Sequence, residues 1–237
     1  MDIVTDGEKM SGPSAKTFAI PTAALTFLRG LEKNNTKTWF DDHRATYRND
    51  IVEPLKDLAV LLGEAFEKAI PGLNYDPRVN GSIFRLNRDA RFSKNKNPYK
   101  TNLGVFVWRG PAKKMECPGI YFHLEPTMLM VGSGIYMFTP EQLAIYRRHV
   151  DAKGEVIARA VAKGEKAGFA LGGEKSKRVP RGFDADHPHA ELLKHKGFFL
   201  SKEYPAKRAT QPGLIPFLKK ELAPTVDLVN RLAEALY

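Results

Sequence analysis

Two stretches decide the fold class: Leu103-Gly-Val-Phe-Val-Trp108, and Ile120-Tyr-Phe-His-Leu-Glu125-Pro-Thr-Met128-Leu-Met-Val-Gly-Ser-Gly-Ile-Tyr-Met137. Apolar and aromatic residues fall there in short runs, broken by Gly, Pro and polar residues, which is the signature of strands. A fourth run, 82–86, precedes them. The connections are too short for helical crossovers, so the runs predict an antiparallel meander over 82–86, 103–108, 120–125 and 128–137.

Outward from this block the period changes. Leu25, Leu28 and Leu31 fall three apart after Pro21, and Trp39, Phe40, His43 and Tyr47 predict a helix over 38–47. Ile51, Leu55, Leu58, Leu62 and Phe66 predict another over about 50–69, ended by Pro71-Gly72. On the other side, Thr139-Pro140-Glu141-Gln142 sets an N-cap, a first-position proline and a capping-box glutamine in register. A short helix near Pro188, a strand over 198–200 and a C-terminal helix on Leu222, Val226, Val229 and Leu232 complete the pattern. Helices, then a sheet, then helices give an α+β class. The expected architecture is a single domain over 22–237, a mainly antiparallel sheet packed against N-terminal and C-terminal helices. Residues 1–21, polar and aperiodic over most of their length, read as a flexible tail.

The chain has 237 residues, 43% hydrophobic and 27% charged, an ordinary mixture for a globular core. Its one cysteine, Cys117, excludes an intrachain disulfide and any multi-cysteine metal site. No apolar run is long enough for a bilayer, and the first residues lack a secretory pattern, so a cytoplasmic protein without a membrane partner is expected.

Charge is the strongest functional signal. The net charge is +10, and between Arg78 and Lys114 ten basic residues stand against one acid, Asp89. Within that window Arg85, Arg88, Arg91, Lys94, Lys96 and Lys100 are candidates to hold phosphates, with Tyr99 to stack on a base or donate a hydrogen bond. As a strand, 82–88 would send Arg85 and Arg88 to opposite faces. A second basic knot supplies Lys177, Arg178 and Arg181. Clustered cations concentrate anions, so the expected partner is a phosphate-bearing small molecule or a nucleic acid. The ligand could also be the substrate of an enzyme; the alternatives are a non-enzymatic nucleic-acid-binding protein, or a structural or partner-binding protein whose arginines pair internally.

For proton transfer the candidates are His123 and Glu125, two apart and on one strand face with Tyr121, and His187. Asp186, just before His187-Pro188, reads as a helix cap, and no metal set is assigned. Gly132-Ser133-Gly134 and Gly172-Gly173 lack the spacing of phosphate loops, and no G-x-S-x-G elbow or H-E-x-x-H occurs.

These blocks carry a resemblance. Trp39-Phe40 with His43-Arg44, Arg88-Asp-Ala-Arg91-Phe-Ser-Lys94 with Lys96 and Pro98-Tyr-Lys100, Tyr121-Phe-His123-Leu-Glu125-Pro126, the glycines Gly132 and Gly134, and Lys177-Arg178-Val-Pro-Arg181 with Asp186-His187-Pro188 together resemble the "domain of unknown function 2461" family over about 22–237. Asn87, Asn102 and Ser133 depart from its usual residues. The resemblance implies one compact domain and a shared site for the polar blocks; it transfers no reaction.

Overall fold

Val105 and Val107, Ile120, Phe122 and Leu124, and Leu129 and Val131 are each less than 2% exposed and alternate with Phe106, Tyr121, His123 and Met130. This two-residue period builds a sheet with one buried face. In the computed structural model, which describes residues 14–89 and 96–237, the sheet has six strands. They are β1 (Leu73–Asn74), β2 (Leu103–Arg109), β3 (Gly119–Leu124), β4 (Met128–Ile135), β5 (Ala170–Gly172) and β6 (Phe198–Pro205). All pairings are antiparallel, in the order β1-β2-β3-β4-β6-β5.

Helices α1 (Thr22–Lys33), α2 (Lys37–Asp42), α3 (Arg44–Thr46) and α4 (Glu53–Phe66) precede the main strands, with a π-helical turn at Tyr47–Val52 leading into α4. Then come α5 (Pro140–Lys166), α6 (Ala190–Lys194), α7 (Leu214–Leu222) and α8 (Val226–Leu236). Helix α4 packs on β2, α7 and α8 pack on β4, and α5 lies against α8 and the β5–β6 edge. All of these cover the apolar face and make one α+β domain. Among the described residues, no helix is long and apolar enough to cross a membrane.

The capping box forms as its residues require. Thr139 Oγ1 accepts from the Gln142 N–H at 3.2 Å, and Gln142 Oε1 accepts from the Thr139 N–H at 3.1 Å. Gln142 Nε2 also donates to the Glu116 carbonyl at 2.7 Å, which ties the start of α5 to the β2–β3 connection. Thr139→Ala should lower stability by about 1 kcal/mol, read from urea midpoints.

Four expectations need correction. Residues 82–86 form no strand of their own; Ile83 makes single bridges to Val79 and Val105, and Asn87 bridges Tyr99. Phe18 and Ile20 are buried, and the Ile20 N–H donates to the Ala209 carbonyl at 2.9 Å, so the domain begins before Thr22. Asp186 caps no helix: α6 starts after His189, and the Asp186 N–H turns back to Asp184 Oδ1. The C-terminal helical region is two helices, α7 and α8, joined by a tight turn at Ala223–Thr225.

Candidate functional site

The sheet face away from the helices carries the site. Cross-strand register places Gly104, His123 and Met130 in one row, Phe106, Tyr121 and Gly132 in the next, and Gly119, Gly134 and Phe199 in a third. Glycine at four of these positions leaves bare backbone where side chains would fill the face. A cavity of about 340 Å³ opens there, walled by Phe84, Phe106, Met130, Tyr136 and Phe199, with Lys100, Asn102, Tyr121 and His123 as its polar groups. Mostly apolar walls with a few convergent polar groups are the usual make-up of a small-molecule pocket.

Gly104 determines where Tyr121 lies. A Cβ at Gly104 would stand 2.8 Å from Tyr121 Oη and 3.1 Å from Phe84 Cδ2, so the phenol occupies the space a side chain would need. From there the Tyr121 hydroxyl is 3.0 Å from His123 Nδ1, and His123 Nε2 is 2.9 Å from Glu125 Oε1. A carboxylate only accepts, so Nε2 carries the proton it shares with Glu125. In the neutral ring Nδ1 is then the acceptor of the Tyr121 hydroxyl, with the Asn102 amide a longer 3.4 Å away. Burial, with the Glu125 charge adding to it, pushes the Tyr121 phenol up to about 12. It is therefore protonated at neutral pH, the state this hydrogen bond needs.

Cations collect at one side. Phe84 has Lys114 Nζ 4.2 Å and Lys100 Nζ 5.9 Å from its ring centroid. The Lys114 ammonium also donates to the Gly81 carbonyl. Burial first, then the charges of Arg85 and Arg88, push Lys100 below the usual lysine range. Burial likewise lowers Lys114, with Lys100 adding to it against the opposing charge of Asp76. The charges of Arg85 and Arg88 therefore both act on the one ammonium of Lys100.

Of the residues expected to act together, the cavity gathers His123 and Lys100, and Glu125 backs His123; Arg85 and Arg88 do not line it and reach it only as charges acting on Lys100. Arg91 and Lys94 lie outside the described residues. Tyr99 does not meet a ligand: it is 6% exposed, stacked on Phe40 at 4.2 Å, with both its backbone N–H and its carbonyl bonded by Asn35. Lys96 is exposed and does not line the cavity.

The second basic knot also stays apart. Lys177, Arg178 and Arg181 are exposed on the segment between β5 and α6, and none of them lines the cavity. That segment is fastened to α5. His187 Nδ1 accepts from the His189 N–H at 3.0 Å, and its Nε2 faces the Asp151 carbonyl at 3.4 Å and carboxylate at 3.7 Å. His187 thus reaches α5 through Nε2 alone, its Nδ1 being used within the segment, and it does not line the cavity.

Sequence reasoning gave Tyr121, Asn102 and Lys114 no role. Tyr121 shares its strand face with His123, a signal visible in the two-residue period; Lys114 had only its charge. Cys117 lines the cavity, but burial pushes its thiol up and its sulfur is held by the Tyr237 hydroxyl at 3.3 Å. Among the described residues no group of three or more His, Cys, Asp or Glu side chains could hold a metal ion.

A family model described as "Conserved hypothetical protein (DUF2461)" matches residues 23–230. None of the curated proteins matches the chain.

Proposed function

The chain belongs to the DUF2461 family, and from the geometry of its site we propose that it binds a small phosphate-bearing molecule on the open face of the sheet. One observation carries the reading. Lys100 and Lys114 both stand over the Phe84 ring at the cavity, 5.9 and 4.2 Å from its centroid, and burial with the charges of Arg85 and Arg88 disfavours the charge of Lys100. Like charges gathered in a partly desolvated place cost free energy that a bound anion offsets. A phosphate, with up to two charges and several acceptor oxygens, fits several cations better than a carboxylate does. The aromatic walls suit the flat part of a nucleotide. A concave cavity favours this over a nucleic-acid strand, which needs an open groove lined with stacking platforms.

The test is a thermal-shift titration with inorganic phosphate, adenosine monophosphate and a short oligonucleotide at two salt concentrations. A ligand at 100 times its Kd adds about 2.7 kcal/mol, which is roughly 5–10 °C for a domain of this size. The nucleotide is expected to raise Tm by that amount at both salts, and Lys100→Ala to remove the shift. A folded Lys100→Ala protein shifting as far as the parent would overturn the proposal. A shift seen only with the oligonucleotide and lost at higher salt would hand the site to nucleic acid.

A further inference from the structure

We infer that Tyr121 is a nucleophile, and that the site transfers phosphoryl groups through a covalent phosphotyrosine. The inference rests on the phosphate reading above and adds a reaction to it. A hydroxyl nucleophile is marked by a base within about 2.6–3.2 Å and a third group that orients the base. Tyr121 Oη to His123 Nδ1 is 3.0 Å, and His123 Nε2 to Glu125 Oε1 is 2.9 Å. The order is hydroxyl, imidazole, carboxylate, with Tyr121 and His123 lining the cavity and Glu125 outside its lining. The same cavity holds Lys100, the cation that would face charge developing on a phosphoryl group.

The step balances within these groups. Tyr121 Oη forms a bond to phosphorus as the bond from phosphorus to the leaving oxygen breaks. The phenol proton passes to His123 Nδ1, and the imidazolium so formed is stabilised by Glu125. The leaving oxygen takes a proton from the Lys100 ammonium. Water then attacks the phosphotyrosine, giving its proton to Lys100 and releasing phosphate, while the phenolate recovers its proton from His123. Tyr121 is the residue that meets the substrate. Glu125 and Gly104 are positioning residues, acting through His123 and through the place left for the phenol.

The nucleophile can be probed without knowing the natural substrate. The fluorosulfonylbenzoyl ester of adenosine places an electrophilic sulfonyl near where a nucleotide's phosphates would stand. Tyr121 Oη would displace fluoride from sulfur, the proton again passing to His123. Labelling is followed by peptide mass spectrometry at neutral pH. The expected result is modification of Tyr121 ahead of Tyr237, which is 52% exposed, does not line the cavity and so serves as an internal control. His123→Gln should slow Tyr121 labelling about a hundredfold with Tm unchanged. Gly104→Ala should slow it too, since the added Cβ meets the flexible ends of Tyr121 and Phe84 and not backbone. Adenosine monophosphate should protect Tyr121.

Tyr121 reacting no faster than Tyr237, or reacting at the parent rate in the His123→Gln protein, would overturn the assignment. The two readings fail separately. Stabilisation by phosphate with Tyr121 unlabelled keeps the anion site and removes the nucleophile. Rapid His123-dependent labelling without anion stabilisation keeps the nucleophile and removes the phosphate.

Discussion

Replacing His195 by leucine is expected to flatten the fall in stability that the parent shows between pH 6.5 and 4. His195 is 1% exposed, packed beside the Phe198 ring at 5.0 Å, and neither ring nitrogen makes a hydrogen bond of good geometry among the described residues. Burial, then the Lys175 charge, pushes it from 6.5 down to about 4; the Gly197 carbonyl and Glu191 oppose this without reversing it. The unfolded chain therefore takes up a proton at this residue before the folded chain does. Stability must rise with pH through this window and fall as pH drops from the unfolded value towards the folded one. At about 1.4 kcal/mol per unit, His195 alone removes about 3 kcal/mol by pH 4.

His149 adds to this in the same direction, because burial and Lys153 lower it while its Nε2 is buried without a partner. At pH 7, where His195 is neutral, leucine should cost little, since it removes two buried unpaired nitrogens along with their packing. Urea unfolding of parent and variant at pH 7 and pH 4.5 isolates the effect, because carboxylate protonation weakens both proteins alike. Equal losses in the two proteins would show that His195 is protonated in the folded state after all.

The parts of this molecule that could be read from sequence are those whose causes are local. β2, β3 and β4 follow from a two-residue period that the buried face enforces. The start of α5 follows from four consecutive residues. The pair His123 and Glu125 is legible for the same reason, since Glu125 directly follows β3 and keeps its two-residue period. What escaped depends on distant partners. Residues 82–86 look like a strand by composition, yet β1 takes part of the β2 edge at Trp108 and Arg109, leaving Ile83 only a bridge at Val105. Tyr99 looks like a ligand-facing aromatic in a basic loop until Asn35, 64 residues earlier, fixes its backbone and Phe40 covers its ring. Tyr121 gains its position from Gly104, its diagonal neighbour on the next strand, a relation set by register and absent from either segment alone. The second basic knot is set apart by β5, a three-residue edge strand too short to announce itself.

Gly134→Ala should be the most damaging small substitution on the open face, and the reason separates two roles of glycine. Gly134 has φ +145, a backbone conformation that side-chain-bearing residues rarely adopt. A Cβ there would also lie 2.4 Å from the Phe198 carbonyl oxygen and 2.6 Å from Phe199 Cα. Both atoms are backbone of β6, which pairs with β4 along eight residues in the middle of the sheet, so neither can yield without opening that ladder. Backbone strain of about 1–3 kcal/mol adds to overpacking of about 1–3 kcal/mol. The expected loss is therefore about 2–6 kcal/mol, at its upper end enough to unfold a marginal domain. Gly72 provides the control. It has φ +75, equally left-handed, but a Cβ there meets nothing within 4 Å. Gly72→Ala should cost only the conformational part, about 1 kcal/mol. If urea unfolding puts the two variants within 1 kcal/mol of each other, the steric half of the argument fails. The larger loss at Gly134 would mean that close approach of β4 and β6 keeps this part of the cavity floor bare, whether or not a ligand ever rests on it.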